Sequence, residues 1–212
     1  MEQPVHKEVL HGYTIEIVPD CEAPNPYTDW DCVSTLLTWH RDYCWHKDGK
    51  KEFGTPDDFM TWARKNKAIV IPVYLFDHSG TTIRATENGN PFSCPWDSGQ
   101  VGVVYVTREK AIEEFAGKRK ALTKAVIKKV KECMIAEIKS LDDCMTGNVY
   151  GYKITNPSGA MEDSCWGFVG DYEYCLEEAR GTVGYRVEAE KTAQDLADQQ
   201  YMDEMCANEI YA

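Results

Sequence analysis

The chain has 212 residues, 43% of them hydrophobic and 11% aromatic, a composition that excludes a disordered polypeptide and fits a globular protein with a core. Its 23 basic and 35 acidic residues give a formal charge of −12, which argues against nonspecific attraction to nucleic acid or to an anionic membrane. The longest apolar run, residues 68–76, is interrupted by Pro72 and falls far short of the roughly 20 residues that a bilayer demands, so no membrane association is expected.

The start of the chain, Met1-Glu2-Gln3-Pro4, has no basic stretch followed by an apolar one, so a secretory signal is not expected. The nine cysteines form no C-x-x-C pair. Together these features predict a cytoplasmic protein whose cysteines are mostly small buried hydrophobes in a reducing compartment.

In chain order, residues 13–18 alternate as a strand does, and Pro19 to Trp30 is a loop with three prolines. Residues 31–40 are ambiguous between helix and strand, and a polar loop follows to Gly54. Thr55-Pro56-Asp57-Asp58 is a helix start, with a capping hydroxyl, proline at the first helical position and carboxylates in the first turn. The helix ends near Asn66. Ala68 to Phe76 reads as a buried strand, Asp77 to Gly80 as a turn, Thr81 to Ala85 as a returning strand and Val101 to Val106 as a third, after a loop over 86–100. Thr107 can cap a helix through Ala116.

A longer helix over about 122–141 shows one apolar face through Val126, Val130, Met134 and Ile138, with lysines on the other. Two more strands follow, 148–155 and 163–169, then a helix from Asp171 that stops at Gly181 and a last acidic helix over about 187–208. Strand and helix do not strictly alternate. The expectation is therefore an α+β protein: one domain over residues 1–185 with a mixed or mainly antiparallel sheet packed by helices on one face, and a C-terminal acidic helical appendage over 186–212.

Charge is unevenly spread. Residues 108–139 hold ten basic and five acidic residues, leaving 13 basic and 30 acidic elsewhere. The simplest explanation is a solvated helix face paired with acidic neighbours; the alternative is an anion-binding stripe.

The densest group of chemistry-bearing residues lies in two loops at the ends of strands that should pair. Asp77, His78 and Ser79 stand in the first, and Cys94, Trp96, Asp97, Ser98 and Gln100 in or beside the second. Cys94 with His78 could form a thiol–imidazole pair oriented by Asp77 or Asp97, although neither the flanking residues nor Pro95 match a hydrolase signature. Two carboxylate–imidazole groups, Asp77/His78/Asp97 and Asp29/Asp31 with His40, would suit a divalent metal, though neither spacing is a defined motif. Ser93-Cys94-Pro95-Trp96 is echoed by Ser164-Cys165-Trp166. The echo raises the expectation that Trp96 and Trp166 line two walls of one aromatic pocket for a flat ligand. A turn network capping backbone groups is the structural alternative for all of these.

Asn25-Pro26, Thr28-Asp29-Trp30-Asp31, Trp39-His40-Arg41, Tyr74 to Gly80, Pro91 to Gly102, Gly147 to Tyr152 and Asp163 to Phe168 resemble a family of uncharacterised proteins of bacteriophages and integrated mobile elements, over about residues 25–180. The resemblance implies an accessory protein expressed in the cytoplasm of a bacterial host, and it brings no catalytic residue or cofactor with it. The expected function is a non-catalytic binder that inhibits a bacterial defence component, with a host protein or a nucleotide signal as partner. The alternative is a metal- or cysteine-dependent hydrolase acting on a nucleotide or similar small substrate. Nothing in the sequence sets the oligomeric state.

Overall fold

A computed structural model describes residues 3–117 and 121–210, except for the side chains of 206–210. Lys118, Arg119 and Lys120 of the basic segment and the thiol of Cys206 therefore lie outside the described residues. The protein is α+β, with two sheets whose strands are mostly antiparallel. The chain forms two compact units, one from its two ends (up to Asp20 and from Val149 onward) and one from Cys21–Asn148. Among the described residues no helix is long and apolar enough to cross a membrane.

The end-built unit has strands β1 (His6–Leu10), β2 (Tyr13–Pro19), β8 (Val149–Thr155) and β9 (Met161–Val169), in spatial order β1-β2-β8-β9. Helix α6 (Tyr172–Ile210) seals one face. Its Cys175, Leu176, Ala179 and Val183 are buried with Tyr13, Ile15, Ile17, Tyr152 and Ile154 of the sheet. The break expected between Gly181 and Val187 does not occur, and α6 runs on through 39 residues. A helical glycine costs about 1 kcal/mol relative to alanine, and burial of Ala179 and Val183 on either side of Gly181 outweighs that cost.

The middle unit has a five-stranded sheet in the order β4-β3-β7-β5-β6, from β3 (Thr35–Thr38), β4 (Lys47–Asp48), β5 (Ile69–Asp77), β6 (Thr81–Ala85) and β7 (Ser98–Val106). Only the β3–β4 pair is parallel. Helices α1 (Pro26–Asp29), α2 (Gly49–Phe53), α3 (Pro56–Lys65), α4 (Arg108–Phe115) and α5 (Lys124–Thr146) complete it. Helices cover both faces of this sheet, not one. Val126, Val130, Met134, Ile138 and Leu141 of α5 pack with Ile71, Val73 and Leu75 of β5, whereas Phe59 and Ala63 of α3 pack with Leu37 and Val103 on the opposite side.

The caps read from sequence form as expected. Thr55 and Asp58 make a reciprocal capping box at α3. Thr107 caps α4; α5 gains a cap not expected from the sequence, Thr123, and runs beyond the expected end near residue 141 to Gly147, at φ +80°. Pro72 sits in an inner strand without harm. Its carbonyl accepts from Thr86 at 3.1 Å, so its nitrogen faces the β6 side just beyond the last β5–β6 pair, Val73↔Ala85, and the donor that proline lacks falls at the end of that ladder. The cysteine expectation needs correction. Of the eight described cysteines only Cys144 and Cys175 are buried, because the others lie in loops or on half-exposed faces.

Two features position the loops discussed below. β7 carries a bulge: Val73 pairs with Gly102 but Tyr74 pairs with Gln100, leaving Val101 as the extra residue. Gly102 leaves room for β3, since a Cβ there would stand 2.0 Å from the Leu37 carbonyl oxygen.

In the end-built unit, Arg180 grips Glu8 through Nε at 2.7 Å and Nη2 at 2.6 Å, tying α6 to the edge strand β1. This guanidinium, helped by His6, holds the Glu8 carboxyl at about 2, below its ordinary 4.5. A depressed carboxyl contributes stability that is complete above its unfolded value and lost as pH falls through the folded one. Urea midpoints should therefore fall between pH 4.5 and about 2, and Arg180→Gln should lower the midpoint at pH 7 and flatten that acid slope. An unchanged slope in the variant would contradict the assignment.

Candidate functional site

The β5–β7 ladder ends where the candidate residues begin. The Asp77 N–H donates to the Asp97 carbonyl at 2.8 Å, so the two loops are stitched together at their roots. Beyond that bond β5 turns over to β6, with His78 N–H donating to the Gly80 carbonyl at 3.1 Å and Ser79 in the left-handed region at φ +56°. The second loop is closed by Ser98, whose hydroxyl donates to the Cys94 carbonyl and accepts from the Asn90 side-chain amide at 2.8 Å.

These roots border an open pocket of about 300 Å³, with buried Leu75 and Val101 beneath and His40, Asp77, Trp96 and Asp97 around the rim. Trp96 is 93% exposed, an unusual position for a large aromatic side chain. Gln100 lines the same pocket and donates from its amide to the Gly102 carbonyl at 3.2 Å, beside the bulge.

The polar contacts decide what this arrangement can do. The Cys94 thiol donates to Asp97 Oδ2 at 3.1 Å, and the same carboxylate oxygen lies 3.4 Å from His78 Nδ1. Thiol and imidazole thus both turn to Asp97, and among the described residues no hydrogen bond joins them to each other. The nucleophile–base contact that would define a cysteine hydrolase is not formed. Asp77 accepts from the Tyr43 hydroxyl at 2.8 Å, and Tyr43 is itself stacked on Trp45 and set against His40.

Among the described residues no three of His, Cys, Asp and Glu converge to hold a metal ion. Asp29 instead accepts from the Asn25 N–H at 2.8 Å and from the Thr28 hydroxyl at 3.0 Å, bracing the start of α1. His40 accepts from the Asp42 N–H at 3.2 Å and borders the pocket.

Asp77, His78, Cys94, Trp96, Asp97, Ser98 and Gln100 are therefore gathered in one region, with Ser79 in the turn between its strands. Trp166 is not among the residues lining this pocket. It lies on β9 of the end-built unit, where its ring covers Gly151 (a Cβ there would stand 2.4 Å from the ring) and Lys153 Nζ lies 5.3 Å from its centroid. Tyr43, Asn90 and the pocket role of His40 were missed from sequence. The only signal was the spacing of aromatic rings at His40, Tyr43 and Trp45.

On the basic segment, the solvated-face explanation fits what is described: Lys131 pairs with Glu87 at 2.6 Å and Lys128 with Glu132 at 3.6 Å. Compared with protein-family models, curated proteins and solved structures, the chain matches none.

Ser98 is the tie on which the second loop depends. Ser98→Ala should speed amide hydrogen exchange over residues 90–97 about fivefold, the value of its half-buried bond to the Cys94 carbonyl, the exposed bond from Asn90 adding little, with the global unfolding midpoint little changed. Exchange rates equal to the wild type would show that the loop is held by other means.

Proposed function

We propose that the protein is a non-catalytic binder that captures a cationic side chain of a partner protein in the pocket between Asp77 and Asp97. The observation that carries this reading is Trp96: an indole exposed at the rim of a pocket that also bears two carboxylates. A guanidinium can lie flat on an indole while its edge meets a carboxylate, and arginine is the cation best shaped to do both. Exposed aromatics at such positions are typical anchors of protein interfaces. The same carboxylates oppose a phosphate, so a nucleotide signal fits this pocket less well than a protein.

In the mobile-element setting that the sequence motifs suggest, the partner is a component of bacterial host defence, and occupation of its basic surface is the means of inhibition. No contact in the pocket favours the hydrolase alternative.

The test uses a fluorescein-labelled nona-arginine peptide, read by anisotropy near physiological salt, with nona-glutamate as control. Any acidic protein attracts polyarginine, so the informative variant is Trp96→Ala, which leaves the charge unchanged. The expected loss is about fivefold, the value of one exposed cation–π contact. Wild-type affinity in this variant would overturn the assignment of the pocket.

A further inference from the structure

The last contact of α6 with its own sheet is made by Glu190, which accepts a hydrogen bond from the Tyr13 hydroxyl. From Glu188 to Met205 every residue of the helix is exposed. The face that packs on the sheet through Leu176, Ala179, Val183 and Val187 continues at steps of three and four through Glu190 and Gln194 to Ala197, Tyr201 and Met205. Tyr201 is 63% and Met205 47% exposed. Residues 188–205 carry six carboxylates and one lysine, so this length is a strongly acidic rod with an uncovered apolar end. Pairs within the helix, such as Gln194–Asp198 at 2.7 Å and Gln199–Asp203 at 3.0 Å, support it internally but cover none of that surface.

A surface with complementary properties exists on α5. Lys124, Lys128 and Lys131 line an open groove of about 480 Å³ with Glu87, Glu132, Ile127 and Ile135, the last 44% exposed; Lys131 pairs with Glu87 and Lys128 with Glu132, which leaves the lining one positive charge in excess. Lys124, Lys128, Lys131 and Ile135 follow one another at steps of four, three and four along the flank of α5 beside the buried Val126, Val130 and Met134, and Ile127 packs against that core. The groove therefore offers a small excess of positive charge around apolar ground, and the free length of α6 offers carboxylates around apolar side chains that can compete with Glu87 and Glu132 for these lysines.

We propose that residues 188–205 of one copy dock on the lysine-rimmed groove of α5 in a second copy. Two such rods would not pair with each other, since each carries a net charge of −5. Helix-to-groove docking joins different surfaces on the two copies, so the association is head-to-tail and builds either closed rings or open chains. It is independent of the pocket at Trp96 and does not rest on that reading.

Sedimentation velocity over a concentration series tests the idea with the full chain. The wild type should associate, and roughly tenfold more weakly at 0.5 M than at 0.1 M salt, because the contact is between exposed charges. A groove variant, Lys124→Glu with Lys128→Glu, and a helix variant, Asp195→Lys with Asp198→Lys, should each be monomeric alone. Mixed, they should associate, since the unreversed helix of the first fits the unreversed groove of the second and the two reversed surfaces are complementary in their turn. The charge-neutral Tyr201→Ser, in a side chain that supports no core, should also weaken association, and circular dichroism confirms that each variant is folded. A wild type that stays monomeric at every concentration would overturn the proposal, as would association that survives both charge reversals or a mixture that forms no complex.

Discussion

One extra residue in β7 sets the geometry on which the candidate site rests. Strand residues alternate between faces, so Val106 and Val104 point toward α5 while Val103 points toward α3. Without interruption Val101 would follow Val103. It lies instead in the α5-side core, because the bulge opposite Val73 and Tyr74 reverses the alternation from that point onward. Val101 and Leu75 thereby come together under the pocket, and the displaced strand runs on to bring the Asp97 carbonyl to the Asp77 amide. The narrow approach of β3 at Gly102 fixes the other side of the same strand.

The chemistry that follows is carboxylate chemistry. Asp97 gathers a thiol and an imidazole, and Asp77 takes a phenol, so the Cys94 thiol is bonded to a carboxylate and not to the His78 ring. What projects into water is an indole and negative charge. The same combination recurs on the outer length of α6, where carboxylates surround Tyr201 and Met205. In both places uncovered apolar surface sits beside carboxylates, the combination on which both proposals of cationic partners rest.

Much of the fold could be read from the chain because its signals are local. The Thr55–Asp58 box, the apolar face of α5 and the strands around the 77–80 turn each follow from residues within one or two turns of one another. The failures have nonlocal causes. β1 escaped notice because it is an edge strand of half-exposed and charged residues, ordered by pairing with β2. Gly181 suggested a helix end, yet the sheet beneath α6 keeps the helix intact. Helices on both faces of the five-stranded sheet could not be foreseen from element order.

The site was partly legible for the same reason. The 77–80 and 94–100 residues meet because neighbouring strands pair, which the strand pattern implies. The Cys–Trp echo at Trp166 misled, since similar short sequences can serve different backbones: Trp166 covers Gly151, and Trp96 stands almost fully exposed at the pocket. The roles of Tyr43 and His40 depend on where β3 and β4 deliver their connection, and no spacing in the sequence encodes that.

The central claim is that the bulge at Val101 sets the register of the strand that carries the pocket. Cross-strand NOEs in an isotope-labelled sample measure that register directly. The account predicts contacts between Tyr74 and Gln100 and between Leu75 and Gly99, following Val73 with Gly102. Uninterrupted pairing, with Tyr74 opposite Val101 and Leu75 opposite Gln100, would contradict it and remove the basis for placing Asp77, Trp96 and Asp97 around one pocket.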